Sequence, residues 1–495
     1  MNFISTRGGE KVTGAQAIVK GLSDNGGLYV PEKFPKVSAS EMDEMLDMSY
    51  PERAALVLGK YLDDYDPKDL LKACEAAYAK FDGDPAPLLR LDDQVYILEL
   101  WHGPTCAFKD MALTLLPYLL RKGCDICGIK EEILVLVATS GDTGKAALEG
   151  FKDAEGVKIM VFYPSEGVSK MQKMQMCTQE GGNVNVVAVK GNFDDCQTAV
   201  KEIFSSPEDN AVLKEKGILL SSANSINFGR LAPQIAYYFS AYLDLVSSCQ
   251  IDMGDPVDFC VPTGNFGNIL AAYYAKQMGL PIRRLHCASN KNNILTDFLK
   301  TGVYDTNRDF YRTTSPSMDI LVSSNLERLI FEISGRDATL TTERMKSLKK
   351  TGRYEITPAE LSAIQQTFDG GFATDETCVE AMYEIFMDVG YTLDPHTGCA
   401  MKVALDWFEK NKKDDTNIII VSTANPYKFP QDVLYAVTGN DVKDSFKGIK
   451  RLHAATAMEV PKSLMSLRDK PVRFTRVATK KDLFKEVLAF VDGQA

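Results

Sequence analysis

Leu100-Trp101-His102-Gly103-Pro104-Thr105-Cys106-Ala107-Phe108-Lys109-Asp110 places a Gly-Pro turn and an apolar approach ahead of a single lysine. Met111-Ala112-Leu113-Thr114-Leu115-Leu116 follows, apolar on nearly every side, and predicts a helix that begins at Lys109 and runs on toward Leu120. An ammonium between Phe108 and Met111, close to a positive helix end, is poorly hydrated and disfavoured in its charged form. Such an amine is a nucleophile that forms Schiff bases with carbonyl groups, including that of pyridoxal phosphate. The competing reading is a surface lysine snorkelling from a buried helix, and the rest of the chain must decide between them.

Upstream, residues 95–100 read as a strand leading into this element, after a linker at Pro85-Ala86-Pro87. Residues 1–92 read as a separate cap. It holds a helix over 13–22, a turn and short strand over 25–31, and helices over 41–58 and 67–79. Downstream, strands and helices alternate. Strands over 133–138, 157–163, 184–189, 218–221, 257–261 and 282–288 are separated by helical stretches over 144–152, 169–179, 195–204, 230–245 and 268–278. This alternation predicts an α/β fold of βαβ units, with parallel sheets covered by helices on both faces. Between 303 and 415 the pattern turns largely helical, 417–421 returns as a late buried strand, and 441–495 forms a C-terminal extension. The catalytic region is thus expected over 93–440.

At 495 residues the chain is too long for one core. A net charge of −11 without a Lys/Arg-rich block argues against nucleic acid, and the apolar runs are too short to span a membrane. The first residues lack an apolar segment of signal-peptide length, so the eleven cysteines are expected as reduced thiols of a cytoplasmic protein. Cys124 and Cys127 form a lone C-x-x-C without a second pair or a neighbouring histidine, which predicts no metal site.

Three loops follow strands, where ligands gather in open α/β sheets. In Pro262-Thr263-Gly264-Asn265-Phe266-Gly267-Asn268 two glycines let the backbone approach a ligand, and the helix start offers free N–H groups to a phosphate. A plain strand-to-helix turn is the equal alternative. Thr139-Ser140-Gly141-Asp142-Thr143-Gly144-Lys145-Ala146 suggests a nucleotide P-loop. However, Thr139 stands where the first glycine belongs and Ala146 where Ser/Thr should meet magnesium. Ser422-Thr423-Ala424-Asn425-Pro426 offers hydroxyls to a ring nitrogen, or caps the next turn.

Together these motifs carry a resemblance. Ser5-Thr6-Arg7-Gly8, Gly26-Gly27-Leu28-Tyr29-Val30-Pro31, His102-Gly103-Pro104-Thr105 through Asp110 and Ser140-Gly141-Asp142-Thr143-Gly144 occur in that order. Asn224-Ser225-Ile226-Asn227 with Arg230, Gly264 to Asn268, Ser317-Met318-Asp319-Ile320 and Ser422-Thr423-Ala424 complete the series. The chain resembles the threonine synthase family, bacterial and fungal type, within the fold type II pyridoxal-phosphate enzymes. The resemblance implies two open, mostly parallel sheets flanked by helices, an N-terminal cap, and pyridoxal 5′-phosphate carried on Lys109. It implies that Gly264, Asn265, Phe266, Gly267 and Asn268 bind the cofactor phosphate and that Thr423 bonds the ring nitrogen. Ser140, Asp142 and Thr143 would lie by the substrate carboxylate, and Arg230 is the candidate for the substrate phosphate, its planar fork suiting two oxygens. The implied substrate is O-phospho-L-homoserine, turned with water into L-threonine and phosphate by a monomer or homodimer. Asn425 departs from the histidine that relatives commonly carry, which leaves a proton relay to His102 or water. A serine or threonine dehydratase would share Lys109 and the phosphate loop without needing a second phosphate site. A silent binding relative would be expected to have lost Lys109.

Overall fold

Four short sheets and the helices around them make up the computed structural model, which describes residues 1–139, 141–166, 168 and 170–494. The larger main sheet has six strands. In spatial order they are Phe368–Phe372, Ile282–Ser289, Val257–Pro262, Ile418–Ser422, Val95–Glu99 and Leu88–Arg90, all parallel except the last. The smaller has five parallel strands, ordered Val477–Thr479, Val184–Lys190, Val157–Pro164, Glu132–Ala138 and Ile218–Ser221. Central strands such as Val257–Pro262 and Ile418–Ser422 are buried at every residue, because helices cover both faces. The expected pair of open, mostly parallel sheets is therefore what the chain forms.

The longest helix, Phe228–Ser247, has twenty residues and is about 30 Å long. It is apolar almost all round, and a helix of that kind must be enclosed. It packs against Tyr50–Gly59, Gly267–Met278 and the short helix Asp110–Leu113. Phe3 and Tyr61 of the N-terminal region stack edge-on against its Phe228, with ring centroids 4.6 and 5.5 Å away. The strand Asn2–Ser5 pairs antiparallel with Val12–Thr13 and Tyr29–Pro31. Just beyond it Thr6 and Arg7 both donate to Glu327 on the helix Leu326–Ile333, at 2.7 to 2.8 Å. The Ser-Thr-Arg-Gly motif is thus a latch onto a distant helix.

Several boundaries differ from those expected, each for a physical reason. The helix anticipated over 41–58 is two, Ala39–Met45 and Tyr50–Gly59, because Ser49 and Glu52 form a capping box with Pro51 inside it. The helix after Lys109 stops at Leu113 and a new one, Leu116–Cys127, starts with Pro117 in its first turn, where the missing N–H costs nothing. Within the helical stretch from 303 to 415, Phe368–Phe372 forms an edge strand of the large sheet. Its Gly370 and Gly371 are needed there: a methyl on Gly371 would lie 2.7 Å from Val403. The C-terminal stretch adds Val477–Thr479 to the edge of the small sheet, and the helix Leu483–Val491 packs into the same apolar cluster. Cys124 and Cys127 end a helix as unlinked thiols, and all eleven cysteines are free.

Candidate active site

Lys109 stands at the N-cap position of the four-residue helix Asp110–Leu113, with its side chain largely enclosed. Its Nζ lies 3.4 Å from Ser317 Oγ, 3.9 Å from Asp142 Oδ2 and 4.9 Å from the centre of the Phe108 ring. Burial lowers its pKa to about 8; the cations Lys428 and Arg230 push the same way, while Asp142 and Asp110 oppose them. This is a desolvated, nucleophilic amine rather than a snorkelling surface lysine. Asp110 accepts from Thr105 N at 2.8 Å and Thr105 Oγ1 at 2.6 Å, which ties the element's turn to its helix.

Asp142 opens the helix Asp142–Phe151 and is enclosed. Burial favours its neutral form, but Lys428 and Lys109 outweigh that and hold the carboxyl well below its usual range. Lys428 Nζ stands 3.0 Å from Asp142 Oδ1 and donates to Thr105 O at 3.0 Å. An ionised Asp142 is acceptor-only, so it offers nothing to a substrate carboxylate. Thr143 is half-buried beside it, and Ser140 lies outside the described residues. Lys145, the P-loop look-alike, is committed elsewhere, to Glu149 at 3.0 Å and Gln179 at 2.5 Å.

The glycine loop reaches the lysine through Ser317. A side chain on Gly264 would place its Cβ 2.6 Å from Ser317 O. The left-handed backbone of this loop falls on Phe266, at φ 62°, and not on either glycine. Left-handed geometry costs such a residue about 1–2 kcal/mol, and the buried Phe266 ring offsets it by packing 5.7 Å from Phe368. Asn268 Oδ1 accepts from Tyr237 and Tyr238, each at 2.6 Å, while its Nδ2 is buried without a partner. Arg230 is likewise enclosed: Nη1 donates to Ala223 O at 2.5 Å, Nε has no partner, and burial lowers its pKa to about 10. Thr423 is buried, and its carbonyl accepts from Phe108 N at 2.9 Å, one residue before the lysine.

His396, Asp394 and Lys428 were not singled out by sequence reasoning. His396 Nε2 accepts the Ser317 N–H at 3.2 Å, and its Nδ1 meets Asp394 Oδ1 at 2.7 Å. The Ser317 donor requires an unprotonated Nε2, so the proton sits on Nδ1 facing Asp394. Asp394 also binds Thr397, whose hydroxyl meets Ser422 Oγ at 3.1 Å. Asn425 caps the turn Pro426–Lys428 through Tyr427 N at 3.0 Å, and His102 is engaged with Glu99 at 2.7 Å. Among the described residues no cluster of His, Cys, Asp and Glu could hold a metal, and no helix is long and apolar enough to cross a membrane.

Three family models match the chain. They are "Threonine synthase N terminus" over residues 2–78, "Pyridoxal-phosphate dependent enzyme" over 81–424 and "Threonine synthase, C-terminal" over 397–488. The chain belongs to the threonine synthase family. It is 38% identical to threonine synthase of Pseudomonas aeruginosa, over 89% of this chain and 91% of that one. It is 41% identical to "Threonine synthase-like 1" of Pongo abelii over 90% of its own length, and spans only 62% of that relative. The crystal structure of pyridoxal-phosphate-bound threonine synthase from Brucella melitensis matches with a TM-score of 0.88 and 36% identity, covering 100% of this chain and 99% of that one.

The cofactor of this threonine synthase family member is pyridoxal phosphate, and the residues present fit it. An aldehyde would find a largely enclosed amine at Lys109, and a phosphate would find the free N–H groups at the start of helix Gly267–Met278. Asn268 Nδ2 and Arg230 Nε are buried donors still lacking acceptors, which anionic ligands supply.

Proposed function

We propose that the chain converts O-phospho-L-homoserine and water to L-threonine and phosphate, with pyridoxal 5′-phosphate carried on Lys109. The observation that carries this reading is the charge of the enclosed site. Lys428 is paired with the firmly ionised Asp142, and Arg230 adds a second buried cation close enough to act on the Lys109 amine, with no carboxylate of its own among the described residues. A site with surplus buried cation suits ligands that bring anionic groups, and this reaction brings two phosphates and a carboxylate. A dehydratase brings one phosphate fewer.

In this reading Gly264, Asn265, Phe266, Gly267 and Asn268 hold the cofactor phosphate, and Thr423 faces the ring nitrogen. Ser140 and Thr143 serve the substrate carboxylate, and Arg230 the substrate phosphate. Asp142 is reassigned from that carboxylate to the lysines. When bound, the cofactor draws electrons from the substrate α-carbon and so acidifies the Cα–H bond. The freed Lys109 amine takes that proton, gives it up, and only then takes one from Cβ. The two protons end on Cα and Cγ of threonine, and the second proton of the added water goes to the departing phosphate. The Cγ–O bond breaks with its electron pair leaving on phosphate, and water adds its hydroxyl at Cβ. Ser317, braced by His396, positions the amine between these tasks. The free thiols suit a reducing, cytoplasmic setting, and we take the working form as a monomer or homodimer.

The test is stoichiometric release of inorganic phosphate and appearance of threonine from O-phosphohomoserine by the cofactor-loaded protein. Loaded protein that releases no phosphate, or that instead deaminates serine or threonine, would rule the proposal out.

A further inference from the structure

The buried Lys428 and the largely enclosed Lys109 converge on a single carboxylate at this site. Lys428 Nζ is 3.0 Å from Asp142 Oδ1, while Lys109 Nζ stands 3.9 Å from Oδ2. Gln172 adds a bond to Oδ1 at 3.1 Å. The closer claim on Asp142 is thus made by Lys428, not by the nucleophile. The arrangement is held from both sides. Asn425 N donates to Cys106 O at 3.1 Å and Phe108 N to Thr423 O at 2.9 Å, so the turn bearing Lys428 is laced to the segment bearing Lys109.

We propose that Lys428 is a positioning residue that shares Asp142 with Lys109 and thereby keeps the Lys109 amine available in its neutral, nucleophilic form. A carboxylate that served Lys109 alone would hold that amine charged. Lys428 draws off the carboxylate and adds its own positive field. The charged groups facing Lys109 are Asp142, Lys428, Arg230 and Asp110. Burial is the largest influence on the amine, and of the two cations Lys428 acts more strongly than Arg230. Lys428 thus acts on the reaction through Asp142 and Lys109, without touching the reacting atoms itself. The proposal rests on Lys109 being the attachment point of the cofactor.

The experiment uses the full chain stripped of cofactor. Pyridoxal phosphate is added at a series of pH values on both sides of 8. The rate of attachment is followed by absorbance, and borohydride reduction with peptide mapping identifies the modified lysine. Comparing variants at each pH cancels the titration of the aldehyde itself. In Lys428→Met the midpoint of the rate profile should move up by on the order of one pH unit, because a neighbouring cation is lost and Asp142 turns to Lys109. Lys428→Arg, which keeps the charge, should restore the original midpoint. Asp142→Asn should move it down. An unmoved or lowered midpoint in Lys428→Met, with normal labelling of Lys109, overturns the proposal alone. Labelling of a different lysine in the unsubstituted chain refutes the attachment reading and this proposal with it. Should Lys428→Met not fold, Lys428→Gln keeps a donor for Thr105 and reads the same midpoint.

Discussion

Replacing Gly264 by alanine adds one methyl group, whose carbon would lie 2.6 Å from Ser317 O and 3.4 Å from Met318 Cα. Carbon and oxygen approach no closer than about 3.3 Å without repulsion, so roughly 0.7 Å must be found. Both obstacles are backbone, and neither can swing aside. The turn Pro316–Met318 must therefore shift, and with it the Ser317 hydroxyl, 3.4 Å from Lys109. Overpacking of this kind costs about 1–3 kcal/mol. If most of that strain falls on the bound state, cofactor affinity drops by about 5- to 150-fold. Gly267 is the control. A Cβ there meets Asn325 Nδ2 at 3.5 Å and Gln234 Nε2 at 3.7 Å, ordinary contacts, and its backbone lies outside the left-handed region. In stability, Gly267→Ala should stay within about 0.5 kcal/mol of the parent. Titrating cofactor-stripped protein with pyridoxal phosphate, alongside melting curves, reads both variants. Unchanged affinity in Gly264→Ala, or a larger loss of stability in Gly267→Ala than in Gly264→Ala, would refute the steric argument.

Lys109→Ala should abolish turnover and the visible absorbance of bound cofactor while leaving the fold intact by circular dichroism. Arg230→Ala should raise KM for O-phosphohomoserine and slow phosphate loss, by roughly 10- to 150-fold for a charge-assisted contact of about 1.5–3 kcal/mol; normal kinetics with a lowered melting point would leave Arg230 only its bond to Ala223 O. His396→Phe keeps the ring volume but removes the acceptor for Ser317 N–H, and should destabilise by about 1–3 kcal/mol in denaturant unfolding; His396→Gln should recover part of the loss. The Asp110 carboxyl is raised by burial from 3.8 to about 6, so the native chain holds a proton that the unfolded chain releases between those values. Its contribution is full below the lower value and is lost as pH rises through the upper one. Asp110→Asn should flatten that limb of the stability curve.

The lysine element, the glycine loop and the late hydroxyl loop were legible because each is a continuous stretch. Gly264 to Asn268 carries its meaning in consecutive residues, and so does the approach to Lys109. Lys428 has no such signal. In Pro426-Tyr427-Lys428-Phe429 it reads as a turn lysine, and only the fold brings it to Asp142, which lies nearly three hundred positions earlier in the sequence. The same holds for His396, whose role depends on a Ser317 backbone N–H that no side-chain pattern records. Phe368–Phe372 escaped recognition because two of its five residues are glycine, poor in strand propensity yet required against Val403. The break at Ser49 was legible, since Pro51 follows the cap. The apolar period runs unbroken over 41–58, but the cap chemistry at Ser49 decides where the helix ends and the next begins.

The strand Val477–Thr479, which closes one side of the small sheet, has a meaning for how the protein is made. Its partner Val184–Lys190 is synthesised far earlier, along with every other strand of that sheet. At about 5–20 residues per second, the nascent chain carries that bare flank for roughly 15–60 seconds before its cover exists. A row of unpaired amides and carbonyls is a template for a neighbouring nascent chain on the same message. Premature termination anywhere between the two strands would release a product whose small sheet is permanently open on that side.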